Sequence, residues 1–197
     1  MTDLRTSEPR LRHLIDAAAT YEQLPRFSYK GDTFSPAELL EGLILTESNG
    51  NPQARRYERH QDVTSPKESD YPEVDNGVWE DDASYGLGQV MGTTFKGLLE
   101  VSEPVRMNFS LLYNALVGIA LSVEVLKREL RAVYVAHPNQ DESERVVRAL
   151  CRYNGGPTGD VEDPATGDLR RRSYVNLVAK HAKLAQDDRR EKSWFVA

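Results

Sequence analysis

The chain has 197 residues and a formal charge of −6, with 39 % apolar and 28 % charged residues. That length suits one domain. The single cysteine, Cys151, excludes an internal disulfide framework and a cysteine-built zinc cage, and the negative balance argues against nucleic acid or anionic membrane as partner. The acidity is local: residues 62–82 hold eight acids against the one base Lys67, a net of −7, which leaves +1 for everything else.

The first residues, Met1 to Arg10, carry no apolar core of the length a secretory signal needs. Leu11, Leu14, Ile15, Ala18 and Ala19 recur at three and four and predict an amphipathic helix over 9–23. Ser35-Pro-Ala-Glu38 reads as a capping box with proline at the first helical position. It opens a helix carrying Leu39, Leu40, Leu43 and Ile44, which Gly50 and Pro52 stop. Residues 51–83 are polar and irregular, too long for an ordinary connection, so the stretch reads as functional or as a small β excursion at about 55–83. Thr93 or Thr94 caps a short helix through Phe95, Leu98 and Leu99. Ser110 starts a long helix to about Ala136. Its apolar part, Leu111 to Val125, includes Asn114, Ser122 and Glu124, so it predicts a central buried helix rather than a membrane span. Asp141 caps a helix through Val146, Val147, Leu150 and Cys151, ended by Asn154-Gly-Gly-Pro157. A last helix runs from about Ser173 to Ala185, with Tyr174, Leu177, Val178, His181 and Leu184 on one face. The expected class is α-rich, with at most a small β element.

Glu47 stands out among the acids. It follows Leu43 by four and Ile44 by three, so it projects from the apolar face of its helix. It also sits in the last turn, at the negative end of the helix dipole. Burial and dipole both disfavour the ionised form, and a carboxylic acid kept protonated near neutral pH is what general-acid cleavage of a glycosidic bond requires. The alternative is a carboxylate that escapes to solvent at the helix end.

Four short motifs follow one another in the chain: Glu47-Ser-Asn-Gly-Asn-Pro52, Ser84-Tyr-Gly-Leu-Gly-Gln89-Val-Met91, Ala149-Leu-Cys-Arg-Tyr153-Asn154-Gly-Gly-Pro157 and Arg172-Ser-Tyr174-Val175. Each alone is weak, but in this order, over residues 37–180, they resemble the soluble lytic transglycosylases and their goose-type lysozyme relatives. The resemblance implies a lysozyme-like α+β domain that spans the chain, with residues 1–35 as a helical extension, 36–185 as catalytic core and 186–197 as tail. It implies that Glu47 is general acid and then general base. Ser84, Gln89 and Met91 would line the cleft, Tyr153 and Asn154 would orient the Glu and the scissile sugar, and Tyr174 would sit near Glu47. Amides and phenols position a neutral sugar by hydrogen bonds, and rings stack on its apolar face. At this point each residue keeps a second reading: turn glycines for Gly86 and Gly88, core packing for Tyr153 and Tyr174, a helix C-cap for Asn154. Two departures from the family pattern stand out: Gly88, where a Met-like residue is usual, which suggests a wider cleft floor, and Gly155, where alanine is common.

The implied substrate is the β-1,4 bond between N-acetylmuramic acid and N-acetylglucosamine in peptidoglycan. The implied reaction closes a 1,6-anhydro ring and needs one essential carboxylate, unlike most glycosidases. A hydrolytic, goose-type variant would add a second carboxylate to activate water, and Glu80, Asp81 and Asp82, just before Ser84, are the candidates. The other reading of the 62–82 segment is a solvated acidic loop; its spacing does not match a calcium loop. His13, His60, His137 and His181 are scattered, without a zinc-peptidase motif, and neither metal nor cofactor is expected. Cys151, in mid-helix, reads as core rather than nucleophile. Asn108-Phe-Ser110 matches a glycosylation sequon, a pattern with many chance matches. Residues 169–192 carry +5, suited to an anionic wall polymer or to a solvated helix face.

The expectation is thus a peptidoglycan-cleaving enzyme without signal, wall-binding repeat or anchor. It would be made in the cytoplasm and act on glycan strands after release, as a phage endolysin does, or be carried in a phage particle. The rival is a non-catalytic lysozyme-like module of a phage particle or secretion machine, whose partners would be other particle proteins. A binding-only cleft has no need of a buried acid, which argues against it.

Overall fold

A computed structural model of the protein describes residues 9–57, 83–98 and 109–193. In chain order the elements are α1 (Pro9–Tyr21), β1 (Phe27–Tyr29), β2 (Asp32–Phe34), α2 (Pro36–Ser48), β3 (Arg55–Tyr57), β4 (Ala83–Tyr85), β5 (Val90–Met91), α3 (Gly92–Leu98), α4 (Ala115–Ala136), α5 (Glu142–Gly155) and α6 (Arg172–Ser193). The fold is α-rich, with two small antiparallel sheets, β1-β2 and β3-β4-β5. None of its helices, among the described residues, is long and apolar enough to cross a membrane.

The capping box at the head of α2 forms as the sequence predicts. Ser35 Oγ accepts from the Glu38 amide at 3.3 Å, and Glu38 Oε2 accepts from the Ser35 amide at 2.7 Å. The other end differs: Asn49, not Gly50, is the C-cap, in left-handed geometry (φ 54°). Between the caps Leu39, Leu40, Leu43 and Ile44 are wholly buried, each contributing about 1.5–3 kcal/mol by leaving water. The central buried helix is therefore α2 rather than the long helix expected after Ser110. That helix, α4, leaves Leu116 and Val135 exposed. It also starts later: Asn114 Oδ1 accepts from the amides of Leu116 and Val117, and Phe109–Tyr113 form a separate 3-10 turn. The short helix α3 begins at Gly92, so Thr93 and Thr94 lie inside it instead of capping it.

α6 closes the core on α2. A Cβ on Gly42 would lie 2.7 Å from both the Ala182 nitrogen and the Val178 oxygen, so glycine is what lets the two helix backbones meet.

The expected division into extension, core and tail is redrawn by packing. Ile15 and Ala19 of α1 join the same core as α2 and α6. α6 runs past Ala185 to Ser193. On it, Arg189 donates to Oε2 of the wholly buried Glu41, while Arg12 of α1 donates to Oε1. The first and last described helices are thus clamped on one acid of α2. The positive stretch 169–192 is correspondingly less free than its charge suggests, since Lys183 pairs with Asp32 and Arg189 with Glu41 and Asp16.

Candidate active site

Glu47 occupies the last turn of α2 and is half-buried at the floor of a cleft of about 450 Å³. The β3-β4-β5 sheet forms one wall. Its register sets Arg56 opposite Ser84 and Ser84 opposite Met91. Strand residues that pair in this way share a face, and all three line the cleft. The turn from β4 to β5 supplies Gln89, a non-glycine residue held at φ 47°, a conformation that persists where surrounding structure enforces it. Here the Gln89 Nε2 donates back to the Gly86 carbonyl at 3.0 Å. Gly86 itself (φ 68°) would place a Cβ 2.1 Å from the Leu112 oxygen, so it serves both a turn and a close approach.

The last turn of α5 makes the facing wall with Tyr153 and Asn154. Asn154 lies within the helix and Gly156 is the cap residue, which removes the C-cap reading of Asn154. The Tyr153 hydroxyl donates to the Gly88 carbonyl at 2.9 Å, joining the two walls. Gly88 does not widen the floor as expected. A Cβ there would meet Ser122 Oγ at 2.0 Å and the Tyr153 hydroxyl at 2.8 Å, so its missing side chain is filled by α4 and α5.

Behind the floor, Tyr174 near the start of α6 donates a hydrogen bond to Oε1 of Glu47. Burial, then the Glu47 charge and then Tyr153 push its phenol well above the usual tyrosine range. Burial and, next, the Glu47 charge push Tyr153 the same way. Both phenols are thus fixed as neutral donors beside the carboxyl. The structure accordingly brings together Glu47, Ser84, Gln89, Met91, Tyr153 and Asn154 around one cleft, with Tyr174 touching Glu47 from behind. Glu80, Asp81, Asp82 and Asn108 lie outside the described residues. Cys151 is wholly buried, and burial pushes its thiol up to about 11, away from the ionised form a nucleophile needs.

Four arginines also line the cleft: Arg56 on β3, Arg128 on α4, Arg152 on α5 and Arg171 just before α6. The sequence assigns none of them to the cleft, because they come from four elements and share no spacing. Two are engaged within the wall. Glu129, 5 % exposed, receives Arg128 on Oε1 and Arg152 on Oε2, both at 2.9 Å. Arg152 also donates to the Pro157 carbonyl at 2.8 Å, which ties down the loop after α5. Among the described residues that line the cleft, Glu47 is the one carboxylate. No family model, curated protein or solved structure was found to match the chain.

Proposed function

We propose that the protein cleaves peptidoglycan glycan strands as a lytic transglycosylase, with Glu47 as its acid and base. The observation that carries this reading is a lone cleft carboxyl whose Oε1 is engaged by a neutral, buried phenol. Tyr174 holds the carboxyl from behind through Oε1 and so orients it toward the glycosidic bond. Glu47 protonates the leaving oxygen as that bond breaks. The N-acetyl group of the departing residue's neighbour stabilises the developing positive charge at the anomeric carbon. Glu47, now a carboxylate, takes the proton of the sugar's 6-hydroxyl as that oxygen closes the 1,6-anhydro ring. One carboxylate serves both steps, and the cleft walls provide one among the described residues. Gln89, pinned through Nε2, has its Oε1 as the amide atom left to accept an N-acetyl N–H, and Asn154 faces it from the opposite wall. The setting this reading fits is a phage-type lysin, acting on the wall after release or from a particle.

A zymogram on purified wall tests it. Glu47→Gln is expected to lose clearing by about 10²–10⁴-fold, the range of general acid–base catalysis. Equal clearing by both proteins removes Glu47 from the chemistry, and no clearing by the wild type favours a binding module. Mass spectrometry of the products decides the mechanism, since anhydro ends mean transglycosylation and reducing ends mean hydrolysis. Hydrolysis that is lost on joint replacement of Glu80, Asp81 and Asp82 by their amides would assign the second carboxylate to that segment.

A further inference from the structure

Gly155 lacks a backbone reason to be glycine. Its φ is −110° and its ψ 7°, close to the third position of a type I turn, which most residues can occupy, whereas Gly156 beside it stands at φ 65°. What a side chain at 155 would meet is Arg171: a Cβ there lies 2.9 Å from the Arg171 Cγ and 3.0 Å from its Nε. The glycine therefore makes a seat over which the Arg171 stem lies, and both residues line the cleft beside Asn154. Arg128 and Arg152 share Glu129, and Arg152 also pairs with Asp160. Arg171 is exposed, and its guanidinium has no acidic partner among the described residues. A guanidinium seated at the cleft is a planar fork that matches a carboxylate.

We propose that Arg171, seated on Gly155, is a specificity-determining residue that binds a carboxylate carried by the glycan, so that the cleft selects acidic over neutral strands. This rests on the glycan-cleaving reading and adds to it the residue that reads the charge. The carboxylate belongs to the lactyl ether of the sugar or to the peptide attached there, and the guanidinium recognises the same group in either place.

The test is binding by calorimetry, with the reaction blocked by Glu47→Gln. The probes are the N-acetylglucosaminyl-N-acetylmuramic acid disaccharide and its lactyl methyl ester, which differ by one charge. A third probe carries the dipeptide L-alanyl-D-isoglutamine on the lactyl group and so moves the carboxylate outward. With Arg171 present, a carboxylate probe is expected to bind about 10-fold more tightly than the ester, the worth of one charge-assisted hydrogen bond. Adding Arg171→Gln is expected to erase that preference, and the probe that loses affinity identifies the position of the carboxylate. Gly155→Ala, which displaces Arg171 without removing it, is expected to give a partial version of the same loss, and none further when Arg171→Gln is already present. Equal binding of acids and ester, an unchanged preference in Arg171→Gln, or no binding of either acid overturns the proposal. Its failure is separable from that of the catalytic reading, which is decided by turnover of wild type against Glu47→Gln.

Discussion

The Tyr174 hydroxyl meets Oε1 of Glu47 across 127 residues of chain. The donor belongs to a helix whose close seat on α2 depends on Gly42, so a packing detail in the core sets the alignment of an acid in the cleft. A hydrogen bond to a charged group is worth about 1.5–3 kcal/mol. Tyr174→Phe is therefore expected to lower kcat by about 10–100-fold, with a smaller change in KM. Steady-state release of soluble fragments from purified wall checks it; an unchanged kcat would remove Tyr174 from the machinery.

Alkaline titration tests the burial of Tyr174 and its neighbour Tyr153 without substrate. In the folded protein the Tyr153 and Tyr174 phenols ionise above their ordinary value near 10, while in the unfolded chain they ionise near it. The unfolded state thus sheds protons that the folded state keeps. The stabilising contribution is full below about pH 10 and is lost progressively as pH rises beyond it. Phenolate absorbance of the wild type and of the Tyr153→Phe/Tyr174→Phe protein should coincide until unfolding begins, then diverge by two tyrosines. Divergence in the folded range would show that the phenols are open to solvent.

Gly42 separates two opposing effects. Alanine is the better helix former by up to about 1 kcal/mol, yet its Cβ would lie 2.7 Å from backbone atoms of α6. Backbone does not swing aside as a side chain does, so overpacking wins, and Gly42→Ala is expected to cost about 1–3 kcal/mol. Urea unfolding measures it, and a gain in stability would contradict the close approach.

Gly88 and Ser122 should be coupled. Gly88→Ala drives a methyl onto Ser122 Oγ and the Tyr153 hydroxyl. Removing that Oγ with Ser122→Ala should recover part of the loss, with a coupling of about 0.5–3 kcal/mol in a double-mutant cycle. Strict additivity would mean that the turn shifts as a unit.

Ending the chain at Ala185 probes the far end of α6. The cut removes Gln186 and Arg189, and Glu41 Oε2 then loses its guanidinium in the interior. Arg12 still holds Oε1, so the loss is that of one charge-assisted contact, about 1.5–3 kcal/mol, which calorimetry would register as a lowered Tm. A solvated tail would leave Tm unchanged.

These outcomes follow the line between what was legible in the sequence and what was not. The caps at Ser35 and Asp141 were readable because both are satisfied within three residues. The start of α4 was misplaced because Ser110 and Asn114 are both capping residue types, and only the fold shows which amides are open. The β1-β2 hairpin went unpredicted, since strands of three residues are too short to display alternation. α6 was cut short because its last turns look like a solvated charge run, while Arg189 points inward to an acid 148 positions away. The motif residues of the cleft were legible through their shared order. The cleft arginines, and the Gly88–Ser122 and Gly155–Arg171 fits, were not, because each is a relation between distant elements.

The double clamp on Glu41 bears on when the site can exist at all. Chains emerge from the ribosome N-terminus first, and domains begin to fold in that order. The acid-bearing helix α2 is made early, but Arg189 and Tyr174 both belong to the last helix. No nascent fragment that ends before α6 can hold Glu47 in its phenol contact or complete the double clamp on Glu41, which Arg12 alone then holds. The Glu47–Tyr174 contact is therefore made only after translation has delivered α6, later than every residue that lines the cleft walls.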